Sequence, residues 1–123
     1  YEAQAFGLTP SAYIVQGAAQ LSFDFAAGTL SGRFDPIAIG LGPNGTDVEL
    51  GRYDFMNTVF GVGSSHFSGE LSLASAPSLG SFEGLFTGPS AIELMANWEA
   101  PYRNPTTNDW ETMRGVWVGS RGN

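Results

Sequence analysis

Apolar and polar positions alternate along most of this chain. Residues 18–25 and 65–73 place apolar side chains at every second position, with polar side chains between them. Because successive side chains of a strand point to opposite faces, this period of two predicts half-buried β-strands. Similar short segments, separated by turn-forming residues, occur near residues 12–15, 29–39, 48–55, 81–87, 91–99 and 114–121.

The pattern predicts about eight strands, joined by short loops, and no helix of useful length. Asn44-Gly45 is the strongest hairpin signal because both residue types accept a positive φ. Pro36 interrupts residues 29–39, and we expect the inward phase to shift there to Ile37 and Ile39. Gly88-Pro89 predicts a corner between two strands. Residues 100–113, the longest polar stretch, are interpreted as a loop.

The predicted fold class is all-β, an antiparallel eight-stranded closed barrel with short loops. Closure into a barrel removes exposed sheet edges, and strands of this size and number suit it. A two-sheet sandwich is the structural alternative. The chain of 123 residues is expected to form a single β-barrel domain, 1–123, either alone or as the C-terminal module of a larger exported protein.

One short pattern recurs three times: an apolar residue, any residue, Gly, any residue, and an apolar residue. It occurs at residues 30–34, 67–71 and 82–86, with Gly32, Gly69 and Gly84 at the centre. By period two, each glycine shares a face with its large neighbours. We interpret the glycines as positions that let a small barrel bend, and over which an aromatic ring from the next strand can lie.

Composition narrows the classes of partner. The net charge is −7, all five basic residues are arginines, and there is no cysteine. The absence of a basic patch argues against nucleic acid and against anionic membranes. The lack of cysteine excludes disulfides, thiolate metal sites and a cysteine nucleophile.

No motif points to catalysis. His66 is the only histidine, and it lies on the polar face of its predicted strand without a companion motif. The carboxylates are scattered, and neither a metal-binding pattern nor a nucleophile elbow occurs. We therefore expect no enzymatic activity, no cofactor and no metal.

Aromatic residues around the predicted loop form the best binding candidate. Trp98, Tyr102, Arg103 and Trp110 are of the types that carry most interface energy. These four residues are predicted to bind a partner. In the structural alternative, one or both tryptophan rings plug the mouth of the barrel and Arg103 pairs with a nearby acid.

Four segments resemble the transferrin-binding-protein-like lipoprotein barrels of bacteria. "GAAQLSFDFAAGTLSGRF" (17–34) is similar to their glycine, strand, turn and Leu-Ser-Gly pattern, and "HFSGELS" (66–72) to a second such strand. "FEGLFTGPSAIEL" (82–94) resembles their Gly-Pro signature, and "GVWVGSR" (115–121) their terminal strand. The resemblance covers roughly residues 17–121 and implies an exported, outer-membrane-lipoprotein-like barrel at the cell surface, in the periplasm or outside the cell.

The resemblance implies a non-enzymatic module that recognises a protein. The alternative is a lipocalin- or streptavidin-like carrier of a small hydrophobic ligand. A binding module with a filled interior should show large inward side chains from every strand, whereas a carrier should have an open mouth lined by Trp or Tyr. A barrel that spans the membrane is not expected, because the strands are predicted to be too short.

Overall fold

The computed structural model describes residues 1–60, 65–87 and 92–121. The predicted corner at Gly88-Pro89 lies outside these residues. The described part of the chain contains nine strands and one short 3₁₀ turn, Pro43–Gly45. The strands are β1 (Glu2–Leu8), β2 (Ile14–Asp24), β3 (Thr29–Ala38), β4 (Val48–Glu49), β5 (Tyr53–Phe60), β6 (His66–Ser72), β7 (Gly80–Thr87), β8 (Glu93–Arg103) and β9 (Trp110–Ser120).

Eight of these strands form a closed ring. All the pairings are antiparallel, and strands that are consecutive in the chain are neighbours in the ring. The exception is β4, which follows β3 in the chain, whereas β5 is the strand that pairs with β3 in the ring. Strand β1 closes the ring because it pairs with both β2 and β9. Strand β4 lies outside the ring and pairs only with the end of β3. The prediction of an all-β, antiparallel eight-stranded closed barrel is therefore confirmed.

The interior of the barrel is filled mainly by aromatic rings. Trp117 lies within 6 Å, centroid to centroid, of Phe34, Phe55 and Phe82. Large inward side chains come from seven of the eight barrel strands, whereas β1 supplies only Ala3, Ala5 and Gly7. Trp98 occupies the space above that strand: a β-carbon on Gly7 would lie 2.8 Å from its ring. The small residues of β1 thus make room for a ring that comes from β8, two strands away.

Each glycine of the recurring pattern lies beneath a phenylalanine from the adjacent strand. A β-carbon on Gly69 would be 2.6 Å from the Phe82 ring, and one on Gly84 would be 2.7 Å from the Phe67 ring. Gly32 is covered by Phe55 in the same way. The predicted packing of aromatic rings over these glycines is confirmed.

The seam between β3 and β5 is the shortest in the ring. Only Arg33–Asp54 and Phe34–Tyr53 are paired there. Asn57 has a φ of 49°, and the register of β5 against β6 shifts around it. This bulge bends β5, and the Thr58 hydroxyl donates a hydrogen bond to the Leu30 carbonyl oxygen at 2.8 Å. A side chain thus replaces the backbone ladder at this position.

Two predictions about turns can now be judged. Asn44 and Gly45 both have positive φ, 58° and 74°, and Thr46 N–H donates to the Pro43 carbonyl oxygen. The turn lies between the paired strands β3 and β4, so the predicted hairpin is confirmed. The loop predicted at 100–113 is wrong, because β8 and β9 remain paired to Arg103 and Trp110. Only residues 104–109 form the turn.

The shorter turn is closed by the Asn104 side chain and backbone. Its side-chain oxygen accepts a hydrogen bond from Thr106 N–H at 2.9 Å, and its carbonyl oxygen accepts one from Asn108 N–H at 2.7 Å. Local bonds of this kind allow a polar segment to make a tight connection.

The predicted phase shift at Pro36 is also wrong. Phe34, Pro36 and Ala38 are all buried on the inward face, so the alternation continues through the proline. Ile37 faces outward and is partly covered because β4 pairs alongside it. An outer strand, rather than a change of face, explains this apolar position.

Candidate functional site

The outside of the barrel carries a contiguous apolar surface on β7, β8, β9 and β1. Leu85, Met95 and Val118 face outward on three successive strands, because Leu85 pairs with Met95 and Met95 with Val118. The next rows along the strands extend the surface diagonally towards β1. We call it the apolar face, and its residues are Leu85, Met95, Val118, Val116, Phe6 and Leu8.

The side chains of the apolar face are well exposed. Phe6 exposes 54% of its surface and Met95 52%. Single exposed apolar residues are normal in soluble proteins, but a contiguous group is a typical sign of an interaction surface. The register places the members of this group on adjacent strands, about 5 Å apart.

A groove crosses the apolar face. It has a volume of about 560 Å³, and its apolar walls come from Val59, Leu85, Met95 and Val116. His66, Ser68, Glu83 and Asn97 supply polar groups to the same groove. Apolar walls with a few converging polar groups are typical of binding sites.

The groove carries one carboxylate among its lining residues, that of Glu83. Glu83 and Asn97 are directly paired across β7 and β8. Arg114, which lies further along β9, forms an ion pair with Glu99 at 3.2 Å. Arg114 is therefore engaged by a carboxylate other than that of Glu83.

The four residues predicted to bind a partner do not form one exposed surface. Trp98 and Tyr102 point into the barrel and are buried. Trp98 packs against Phe34, with ring centroids 4.8 Å apart. Arg103 is exposed, Trp110 is half-buried, and the two face each other across β8 and β9. A role in partner binding stays a prediction, with Arg103 and Trp110 as its accessible part.

Tyr102 instead belongs to a polar cluster at the end of the barrel where β8 turns into β9. Its hydroxyl donates a hydrogen bond to Glu111 Oε1, and Asn104 Nδ2 donates to Glu111 Oε2 at 3.4 Å. Burial, and then the hydrogen bond and charge of Glu111, raise the pKa of Tyr102.

Tyr53 lies in the interior and donates to the Pro101 carbonyl oxygen at 2.5 Å. Burial, followed by the proximity of Tyr102, raises its pKa as well. Both phenols therefore stay protonated at neutral pH, where they act as hydrogen-bond donors and not as bases. The arrangement anchors β8 against its neighbours.

Other candidate chemistry receives no support from the geometry. Within residues 1–60, 65–87 and 92–121, no three His, Asp or Glu side chains gather closely enough to hold a metal ion. The same ranges contain no helix with the length and apolarity that a membrane crossing requires. His66 lies at the edge of the groove, where its Nδ1 is 3.2 Å from the Ser65 hydroxyl.

The sequence contains a signal for the apolar face that the strand pattern alone obscures. Leu85 occupies a position where the alternation calls for a polar residue, and Val116-Trp117-Val118 is apolar at three consecutive positions. An apolar residue of the wrong parity in a half-buried strand must lie on the outer face. Several such residues on neighbouring strands therefore mark an outer apolar surface, once the strand order is known.

Comparison with protein-family models, curated proteins and solved structures found no match. The resemblance to transferrin-binding-protein-like barrels therefore remains a prediction from sequence.

Proposed function

We propose that this chain is a non-enzymatic binding module that recognises a protein through the apolar face on the outside of its barrel. The observation that carries the proposal is the contiguity of the face across β7, β8, β9 and β1. Exposing these side chains to water is unfavourable, and covering them with a partner would recover roughly 25 cal/mol for each Å² buried. Polar rows on either side of the face would form the rim of such an interface.

The filled interior supports recognition by the outer surface over transport of a small ligand. Phe34 packs against both Trp98 and Trp117 inside the barrel. A carrier of the lipocalin type would use that space for its ligand. The groove described above instead opens on the outside, between outward side chains of β5 to β9.

The proposed location is outside the cytoplasm of a bacterium, at the surface or in the periplasm. This part of the proposal is supported by the resemblance of residues 17–121 to exported lipoprotein barrels. The absence of cysteine from the sequence is compatible with either location.

The proposal is tested by capture from the native extract with matched variants of the purified chain. Met95→Gln and Phe6→Gln should reduce capture of the bound protein because both remove apolar contact from the face. Met56→Gln is the matched control, since Met56 is similarly exposed, at 43%, but lies on β5 outside the apolar face.

Equal capture by the wild type and by both face variants would contradict the proposal. If only Trp110→Ala reduced capture, recognition would instead belong to the end of the β8–β9 hairpin. Circular dichroism would show that each variant retains its fold. Release of a small molecule from the denatured wild-type protein, detected by mass spectrometry, would favour the carrier.

A further inference from the structure

The groove of the apolar face contains a carboxylate without a partner of opposite charge. Glu83 is exposed, lines the groove and pairs across the strands with Asn97. Within the described ranges, its side chain makes neither an ion pair nor a hydrogen bond. The same is true of the Asn97 side chain. The groove thus offers one charged and one neutral acceptor between apolar walls.

Two other acidic side chains on the barrel surface are held in ion pairs within the sheet. Asp35 lies 3.5 Å from Arg33 and 3.2 Å from Arg52, and Glu99 lies 3.2 Å from Arg114. These ion pairs involve three of the five arginines. Glu83 therefore differs from Asp35 and Glu99, because no cation of the described structure compensates its charge.

We infer that the partner surface is basic, and that a lysine or arginine of the partner enters the groove. This inference rests on the proposed function. The aliphatic stem would pack on Leu85 and Met95, and the cationic head would donate hydrogen bonds to Glu83 and to the side-chain oxygen of Asn97. Long basic side chains combine an apolar stem with a charged tip, which matches this lining.

The charges of the chain argue for a different protein over a second copy. A second copy would meet the apolar face with the same acidic side chains, which are Glu83 in the groove and Glu2 and Glu93 at the edge of the face. The chain has no lysine. Arg121 is turned over the rings of Tyr1 and Phe25. Like charges placed opposite each other in an interface oppose association, so a basic partner is the complementary choice.

The inference is tested with two synthetic nine-residue peptides that alternate leucine with a charged residue. One peptide carries arginine and the other glutamate at the charged positions. Titration of ¹⁵N-labelled protein by NMR should show that the basic peptide shifts the amide signals of Glu83, Leu85, Met95 and Asn97. We expect the acidic peptide to bind at least tenfold more weakly, and we expect added salt to weaken the binding of the basic peptide.

A matched pair of variants identifies the carboxylate responsible. Glu83→Gln preserves the shape of the side chain. It should weaken the binding of the basic peptide about tenfold, because a charge-assisted hydrogen bond is lost. Glu49→Gln is the control, because Glu49 is an exposed carboxylate on β4, away from the groove. It should leave the affinity unchanged.

The inference is overturned if the basic peptide does not bind, if both peptides bind equally, or if Glu83→Gln binds as the wild type does. Equal binding of both peptides with shifts on the apolar face would leave the proposed function standing. Sedimentation velocity that showed a dimer abolished by Met95→Gln would overturn the inference in favour of a second copy. The proposed function fails separately if Met95→Gln captures the partner as well as the wild type does.

Discussion

Gly69→Ala tests whether glycine is required for an aromatic ring to lie across the neighbouring strand. The added β-carbon would be 2.6 and 2.8 Å from two carbons of the Phe82 ring, well inside van der Waals contact. That ring is held by Phe55 and Trp117, with centroids 4.5 and 5.1 Å away, so it cannot simply move aside. Gly69 lacks a left-handed φ; alanine is therefore opposed there by space and not by backbone conformation.

The expected loss follows from two opposing terms. Overpacking a filled core costs about 1–3 kcal/mol. Replacing a strand glycine by alanine recovers about 0.5–1 kcal/mol of backbone entropy. The difference between the midpoints of these ranges is about 1 kcal/mol, so the variant should be about that much less stable. For a domain of this size, the melting temperature should fall by about 2–8 °C.

A double-mutant cycle with Phe82→Leu separates this explanation from a general loss of stability. The shorter side chain removes the ring atoms that the new β-carbon would meet, so Gly69→Ala should cost less in that variant, with a coupling energy of about 1 kcal/mol. Urea unfolding followed by tryptophan fluorescence supplies the four free energies. Equal costs in the two backgrounds, or no cost in the wild type, would refute the reasoning.

Gly84→Ala supplies the contrasting case. Its β-carbon would meet the Met95 carbonyl oxygen at 2.5 Å as well as the Phe67 ring at 2.7 Å. A backbone atom cannot be removed by substitution, so Phe67→Leu should relieve less of the cost at Gly84 than Phe82→Leu relieves at Gly69.

Two further predictions concern the turn and the buried phenols. Asn44→Ala should lower the free energy of unfolding by about 1 kcal/mol in chemical denaturation, since its φ of 58° is unfavourable for a residue with an ordinary β-carbon; an unchanged midpoint would contradict this. Burial raises the pKa values of Tyr53 and Tyr102 in the folded state. The stability that these phenols contribute is therefore fully present below about pH 10, and it should be lost as the pH rises further. Stability measured from pH 8 to pH 11 should fall above pH of about 10, and less steeply in a Tyr53→Phe variant; equal slopes would count against it.

The fold could be predicted from sequence because the alternation is strong where one face of a strand is buried. In β6, for example, Phe67 and Leu71 are buried and alternate with polar residues. The glycines of the recurring pattern leave space for aromatic rings from the adjacent strands. The strand at residues 100–103 is harder to predict, because Pro101 and the polar residues that follow it are typical of a loop. Their pairing with β9 continues up to the turn that Asn104 closes, and this turn cannot be recognised before the strands are aligned.

The candidate site was less accessible to sequence reasoning. Tryptophan and tyrosine are residue types that predict a binding role, yet Trp98 and Tyr102 have the inward parity of β8 and are buried. Met95 has the outward parity of the same strand, and its significance depends on Leu85 and Val118 lying beside it. Such a surface is a property of the strand order, which a single strand does not encode.

The three methionines allow the central claim, that a partner covers the outside of a filled barrel, to be measured directly. Met95 and Met56 are exposed, whereas Met113 is fully buried, so mild oxidation followed by mass spectrometry reports on all three positions. In the free protein, Met95 and Met56 should oxidise and Met113 should be protected. In the complex with the captured partner, Met95 alone should gain protection. Oxidation of Met95 at the same rate in the free and bound protein, or ready oxidation of Met113 in the free protein, would contradict the account.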